Sequence, residues 1–160
     1  MKKISNSLKL KDSGNRRVFS SGAVRDRALG KGNFALLSPI SNTKLAEHFE
    51  KGALKYKSRN WEKGMEISNF IDSALRHLSQ YVEGKRDEPH LISALWNLHA
   101  CVHGQEMIER GLWPIEYYDL PCYVNEKDMD PETKKWWENI KKIAVKSKNT
   151  KSTSAKKNDQ

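Results

Sequence analysis

Apolar residues recur at helical spacing along the middle of the chain and predict its folded core. The clearest stretch runs from Ile67 to Val82, where apolar side chains follow the i, i+3, i+4, i+7 pattern and Gly84 is placed to end the helix. A further helix is predicted from the acidic, proline-bearing start at residues 87–89 to about Arg110. Because only a few residues join these two helices, we expect an antiparallel hairpin at the centre of the fold.

Weaker patterns flank this hairpin. A helix is predicted after a cap at residues 41–43, with Leu45, Phe49 and Tyr56 at helical spacing, and a short helix is predicted from Asp130 to the start of a Lys-rich segment near residue 146. The aromatic, proline-bearing stretch 112–121 is expected to pack over the bundle as an irregular strap. No alternating run of Val, Ile and Thr indicates a sheet.

Together these patterns predict an all-α protein built as a small helical bundle. The predicted organisation is a basic, irregular N-terminal arm at residues 1–32, a helical domain at residues 33–145 and a disordered Lys-rich tail at residues 146–160.

The formal net charge of +9 is concentrated at the two ends of the chain. Residues 1–31 hold nine Lys and Arg against two Asp and Glu, and residues 141–160 hold seven Lys against one Asp. The remaining residues hold 13 basic and 17 acidic side chains, so the predicted core is slightly acidic. The basic ends are expected either to be solvated termini or to make weak, salt-sensitive contact with nucleic acid.

Nothing in the sequence has the apolar length of a secretion signal or of a membrane span. The two cysteines, Cys101 and Cys122, do not have zinc-finger or CxxC spacing. We therefore expect a cytoplasmic protein with reduced thiols and no membrane association.

Polar residues interrupt the apolar faces of the predicted hairpin. His77 lies at the margin of the first apolar stripe, while His90 and Asn97 are seven residues apart and share a face of the next helix. These three side chains are predicted to line a polar pocket. Hydrogen-bonded packing histidines would give the same pattern, so that alternative stays open.

Carboxylates lie in positions from which they would serve this pocket. Mg²⁺ prefers oxygen ligands. Glu47 and Glu50 lie on one side of the helix predicted after residues 41–43, which is the first along the chain, and Asp87 and Glu88 open the third helix, which ends near Arg110. Local spacing also allows ordinary ion pairs, Glu47 with Lys51 and Asp72 with Arg76.

Basic and aromatic residues near helix ends are candidates to hold a nucleotide. Arginine and lysine bind phosphate oxygens, and aromatic and amide side chains recognise bases. The candidates are Arg25, Lys31, Lys55 and Arg59 for phosphate and Asn60 and Trp61 for the base, with Trp61 equally suited to anchor its loop. The sequence has no P-loop, dinucleotide fingerprint, nucleophile elbow or HExxH motif.

Seven runs of residues, in this order and spacing, resemble the phage family of dATP/dGTP diphosphohydrolase N-terminal domains. They are residues 21–26, 30–32, 36–39, 55–56, 59–64, 72–78 and 90–97. The resemblance extends over roughly residues 13–121. It implies a phage product that acts in the host cytoplasm on purine deoxynucleoside triphosphates and releases pyrophosphate and the monophosphate.

The same resemblance implies a relation to MazG-like pyrophosphohydrolases, in which an E-x-x-E pair and a later E-x-x-D pair bind Mg²⁺ or Mn²⁺. Glu47 and Glu50 match the first pair, but the third helix has His90, Ser93 and Asn97 where the second pair is expected. Either Asp87 and Glu88 supply the missing charge or the metal site is altered. With this resemblance, Glu47, His77, His90 and Asn97 are the predicted catalytic residues.

Two other functions are compatible with the sequence. One is a non-catalytic helical protein that binds nucleotide or nucleic acid, and the other is a helical module that completes its core by forming a homo-oligomer.

Overall fold

The computed structural model describes residues 14–26, 30 and 32–155 of the chain, which divides into two compact units, residues 1–41 and 42–160. In the described part, four α-helices are present: α1 (Pro39–Tyr56), α2 (Ile67–Val82), α3 (His90–Glu109) and α4 (Pro131–Ala155). Short 3₁₀ turns lie at Asn60–Lys63, Ile115–Tyr117 and Glu126–Asp128. The predicted small all-α fold is therefore confirmed.

The first unit contains a small hairpin that the sequence did not predict. Strands β1 (Arg16–Val18) and β2 (Val24–Asp26) pair antiparallel, with Val18 opposite Val24. In the turn, Gly22 has a φ of 81° and its backbone N–H donates to the Phe19 carbonyl. The expectation of an irregular arm was wrong for these residues, because strands of three residues are too short to give a visible alternation.

Two helix ends differ from the predicted ones. Helix α1 begins at Pro39, because the Ser38 hydroxyl accepts a hydrogen bond from the Ser41 backbone N–H and so caps the helix earlier than residues 41–43 would. Helix α4 begins where predicted, with Asp130 accepting from the Thr133 backbone N–H at 2.9 Å. It continues to Ala155, through ten residues of the segment predicted as a disordered tail, since no Gly or Pro interrupts it. Residues 156–160 lie outside the described residues.

Helices α2 and α3 form the antiparallel hairpin that the sequence predicts. The main hydrophobic cluster lies at one end of it and consists of Ile67, Ile108, Trp113 and Ile140. Gly104 allows this packing, because a Cβ at that position would lie 2.8 Å from the Trp113 ring and 3.1 Å from the Ile67 side chain.

The strap after Gly111 packs against this cluster, as expected. Trp113 is buried, and its ring lies edge-on to Tyr117 at 6.2 Å. Gly64 has a φ of 87° and faces both rings so closely that a Cβ there would lie 2.8 Å from Tyr117. Asp119 fastens the strap to the start of α2, where it accepts hydrogen bonds from the Ser68 backbone N–H at 2.9 Å and from the Ser68 hydroxyl.

The large apolar side chains of α3 are only partly buried. Leu91, Leu95, Leu98 and Val102 are exposed in this chain, and the closely packed positions on α3 hold small residues instead, including Ala94 and Ala100. Small side chains let the two helix backbones approach, which the hydropathy pattern cannot distinguish from ordinary surface alanines. No helix within the described residues combines the length and the apolar character needed to cross a membrane.

Candidate functional site

A cavity of ≈ 690 Å³ lies between α1, the 3₁₀ turn at Asn60–Lys63, α2 and α3. Its size is within the range of small-molecule sites, about 300–1,000 Å³. All of its described lining residues belong to the second unit. The cavity is therefore large enough for a nucleotide-sized ligand.

One wall of the cavity is aromatic. Phe49 from α1 lies 5.6 Å from the Trp61 ring and 5.9 Å from the Trp96 ring, measured between centroids, and Phe70 lies 6.4 Å from Trp96. Trp61 also packs edge-on against His103 at 4.9 Å. Trp61 thus both fixes its loop against α3 and presents part of its ring to the cavity, where a base can stack.

Three helices bring oxygen-bearing side chains to the same cavity. Glu50 comes from α1, Asp72 from α2 and Asn97 from α3, and all three line it. The Asn97 amide nitrogen donates to the Ser93 carbonyl at 2.9 Å, so the amide oxygen is the group left to accept a hydrogen bond or bind a cation. Carboxylate and amide oxygens of this kind are ligands that Mg²⁺ prefers.

Two cations line the cavity from the connection after α1. Lys57 and Arg59 have φ values of 74° and 59°, a left-handed backbone conformation that is costly for residues with a Cβ. Arg59 forms two contacts with Glu62, Nε to Oε2 at 2.9 Å and Nη2 to Oε1 at 2.8 Å. Such strain in a cavity-lining loop is common at ligand-binding sites.

A second polar group closes the α2–α3 hairpin. His77 and His90 are buried, and their Nδ1 atoms lie 3.1 Å apart. Asp87 Oδ1 lies 3.0 Å from His90 Nε2, and Glu88 Oε2 lies 3.9 Å from His77 Nδ1. We call these four residues the histidine cluster.

Burial and hydrogen bonding shift the pKa values of two members of this cluster. Burial holds the pKa of His77 below its usual value, and the neighbouring Arg76 adds to the effect, while Glu88 opposes it. The hydrogen bond with His90 lowers the pKa of the Asp87 carboxyl. His77 is therefore neutral and Asp87 is ionised near neutral pH.

The predicted site residues fall into separate places. The cavity is lined by five of them, Glu50, Arg59, Asn60, Trp61 and Asn97. The histidine cluster contains four others, His77, His90, Asp87 and Glu88. The cluster lies next to the cavity along the same two helices, since His77 follows the cavity residue Ser73 by one turn.

The other predicted residues belong neither to the described cavity lining nor to the histidine cluster, or they lie outside what the structure describes. Glu47 pairs with Lys44 at 2.9 Å rather than with Lys51, and it is not part of the described cavity lining. The Lys55 ammonium lies over the Tyr56 ring, 4.9 Å from its centroid. Arg25 lies on β2 opposite Arg17, and Lys31 lies outside the described residues.

Sequence reasoning missed the contribution of α2 to the cavity. Asn69, Asp72 and Ser73 share one helix face and line it, whereas the sequence analysis considered Asp72 only as a partner of Arg76 in an ion pair. The N-x-x-D spacing of residues 69–72 was the available signal, because it places two oxygen-bearing side chains one turn apart.

Comparison with known proteins gives one family. The model of the family described as dATP/dGTP diphosphohydrolase, N-terminal, matches residues 21–110, more than half of the chain. Comparison with curated proteins and with solved structures gave no match.

Proposed function

Because the chain belongs to the dATP/dGTP diphosphohydrolase N-terminal family, we propose that it hydrolyses dATP or dGTP to the monophosphate and pyrophosphate. In this proposal it acts in the cytoplasm, in that of the host if a phage encodes it. The observation that carries the proposal is the cavity that Glu50, Asp72 and Asn97 from three helices line together with aromatic side chains.

The aromatic wall supports binding of a purine. Trp61 and Trp96 offer ring surface for stacking, and Asn60 offers an amide that can donate to and accept from a base edge. A purine has the larger π surface, so stacking favours it over a pyrimidine.

The oxygen donors support a divalent cation, Mg²⁺ or Mn²⁺, and fit it chemically. Glu50 and Asp72 would hold it with their carboxylates and Asn97 with its amide oxygen. When bound, the cation supplies charge neutralisation for the triphosphate oxygens and lowers the pKa of a bound water. Of these three residues, the sequence predicted Glu50 as a metal ligand and Asn97 as a catalytic residue, and Asp72 is new. The metal role predicted for Glu47, Asp87 and Glu88 stays a prediction.

The chain's own residues position the rest of the substrate. Arg59 and Lys57 stand where they can bind the phosphates, with Arg59 exchanging its partner Glu62 for phosphate oxygens. Phe49 and Phe70 exclude water from the base side of the cavity. Proton removal from the attacking water falls to a cavity carboxylate such as Glu50 or Asp72, or to His77 as the sequence predicted.

Self-association is part of the same proposal. An exposed apolar stripe runs along α3 and consists of Leu91, Leu95, Leu98 and Val102. It supports a homo-oligomer in which a second copy of the chain covers this stripe. Sedimentation of the wild type and of Leu98→Glu tests this part, since a monomeric wild type contradicts it.

The deciding experiment is a pyrophosphate-release assay with each dNTP, with and without Mg²⁺ or Mn²⁺. We expect metal-dependent turnover with dATP or dGTP, and a loss of at least about 100-fold in Asp72→Asn and Glu50→Gln. Glu106→Gln is the matched control, because Glu106 pairs with Arg110 on the surface of α3.

Two outcomes would contradict the proposal. If the wild type shows no turnover with any dNTP but still binds nucleotide, the chain is a binding protein. If Asp72→Asn and Glu50→Gln turn over as fast as the control, the cavity is not the active site. Glu47→Gln, assayed beside them, shows which acid of the E-x-x-E pair matters.

A further inference from the structure

The histidine cluster has the composition of a transition-metal site. One ligand atom from each of His77, Glu88 and His90 lies within 4.8 Å of the others. Two imidazoles and one carboxylate are a known protein ligand set for zinc sites that keep an open position. Imidazole nitrogen favours zinc and other transition metals over Mg²⁺.

The spacing of the two histidines fits a shared metal ion. Two nitrogens bound to one tetrahedral zinc at about 2.0–2.1 Å lie about 3.3 Å from each other. The Nδ1 atoms of His77 and His90 are 3.1 Å apart, within a small side-chain rotation of that value. Glu88 is in the turn before α3 and its side chain is exposed, so it can move toward His77 without disturbing the core.

Asp87 gives a second, independent observation. Its carboxylate accepts a hydrogen bond from His90 Nε2–H, which leaves the His90 Nδ1 lone pair directed at His77. Histidine ligands of metals typically donate their other ring N–H to a carboxylate in this way. The arrangement therefore orients His90 as a ligand before any metal is bound.

Two buried histidines bring polar ring nitrogens into the hairpin, and these nitrogens need partners. An apolar pair of the same size would fill the space without polar atoms that need partners. Without a metal, the two Nδ1 atoms share a single hydrogen bond, with His77 as the donor in the tautomer in which His90 Nε2–H binds Asp87.

We propose that His77, Glu88 and His90 bind one divalent transition-metal ion, zinc above all, and that the ion fastens α2 to the start of α3. Asp87 is the positioning residue that orients His90. This site is separate from the oxygen-lined cavity and goes beyond the proposed nucleotide hydrolysis.

Zinc titration of the full-length, chelator-treated protein tests the proposal. We expect one Zn²⁺ per chain by calorimetry and by competition with a chromogenic chelator, and a rise in Tm on adding zinc. Replacing zinc with Co²⁺ should give the visible absorption of a nitrogen- and oxygen-coordinated ion. Mg²⁺ in excess should not displace it.

The variants identify the ligands. The pair His77→Leu with His90→Leu should reduce zinc affinity at least about 100-fold, Asp87→Asn about 10-fold, and His99→Gln, an exposed histidine of the same helix, not at all. Glu88→Ala changes an exposed side chain, so this variant should fold normally. It should nevertheless bind zinc more weakly than the wild type.

The proposal fails if the wild type binds no zinc, or if the Leu pair binds it as tightly as the wild type. The latter outcome would place the zinc at other residues such as the cysteines. Neither result depends on whether the protein releases pyrophosphate, so failure here and failure of the proposed hydrolysis are distinguishable.

Discussion

The two ends of the α2–α3 hairpin differ in the side chains that they bury. At the end near Ile67, apolar side chains from α2, α3, the strap and α4 form the main cluster, and Gly104 lets Trp113 seat against them. At the other end the buried positions hold His77 and His90, whose polar atoms bond to each other and to Asp87. The first end thus buries a cluster of large apolar side chains, while the second buries polar side chains that depend on hydrogen-bond partners.

The largest expected effect comes from breaking the apolar end. Ile108 is fully buried, so Ile108→Ala should lower the free energy of unfolding by about 3 kcal/mol, through lost burial and the cavity left behind. Urea denaturation followed by far-ultraviolet circular dichroism measures the change. Leu54→Ala on α1 is the control, because its exposed side chain should change the free energy by less than about 0.5 kcal/mol. Equal effects of the two variants would show that the cluster is not the core.

The second-largest loss of stability is expected from breaking the contact between Asp119 and Ser68 at the same end. Asp119→Asn should lower the free energy of unfolding by about 1 kcal/mol, as loss of a helix cap does, because Asp119 holds the strap to the start of α2. Burial tends to raise the Asp119 pKa, but the two hydrogen bonds from Ser68 outweigh it and leave that pKa below its ordinary value.

The lowered pKa of Asp119 gives this prediction a pH signature. An acid whose pKa is lower in the folded state stabilises the protein above its unfolded pKa, about 4, and loses that contribution as pH falls through the folded pKa. The wild type and Asp119→Asn should therefore differ in Tm at pH 7 and converge below pH 4. A difference that persists at pH 2 would mean that the charge of Asp119 is not the cause.

The histidine end should tolerate replacement of both partners. Changing His77 and His90 together to Leu removes two buried polar groups of similar size, so the free energy of unfolding without metal should stay within about 1 kcal/mol of wild type. Each single replacement should cost more, because it leaves the other histidine without its partner. Urea denaturation of the three variants checks this, and an additive double variant would show that the two rings do not interact.

The sequence predicted the helices well, but it predicted only part of the candidate site. Helices α2 and α3 were predictable within about one residue at Ile67, Val82 and Glu109, because long amphipathic periods depend on local spacing alone. Asp72 was not recognised as a cavity residue, since its neighbours come from α1 and α3 and no local pattern records them. The proximity of His77 to His90 followed from the short hairpin connection, but the role of Asp87 depends on which imidazole nitrogen it meets.

The smallest expected effect concerns the cavity, which lies between the two ends. Lys57 has a φ of 74°, so Lys57→Gly relieves a left-handed conformation that is costly for a residue with a Cβ. Glycine also has greater freedom in the unfolded chain, which offsets part of this gain. The net effect should be a rise of about 0.5 kcal/mol in the free energy of unfolding. Lys63→Gly is the matched control: Lys63 lies in the 3₁₀ turn Asn60–Lys63 and is not among the non-glycine residues of positive φ, so glycine there should destabilise the protein. If Lys57 also binds phosphate, Lys57→Gly should weaken dATP binding while it stabilises the fold, and calorimetric titration beside urea denaturation measures both. A variant that is less stable than wild type would mean that the left-handed conformation at Lys57 is not strained, and one that binds dATP unchanged would remove Lys57 from the phosphate site.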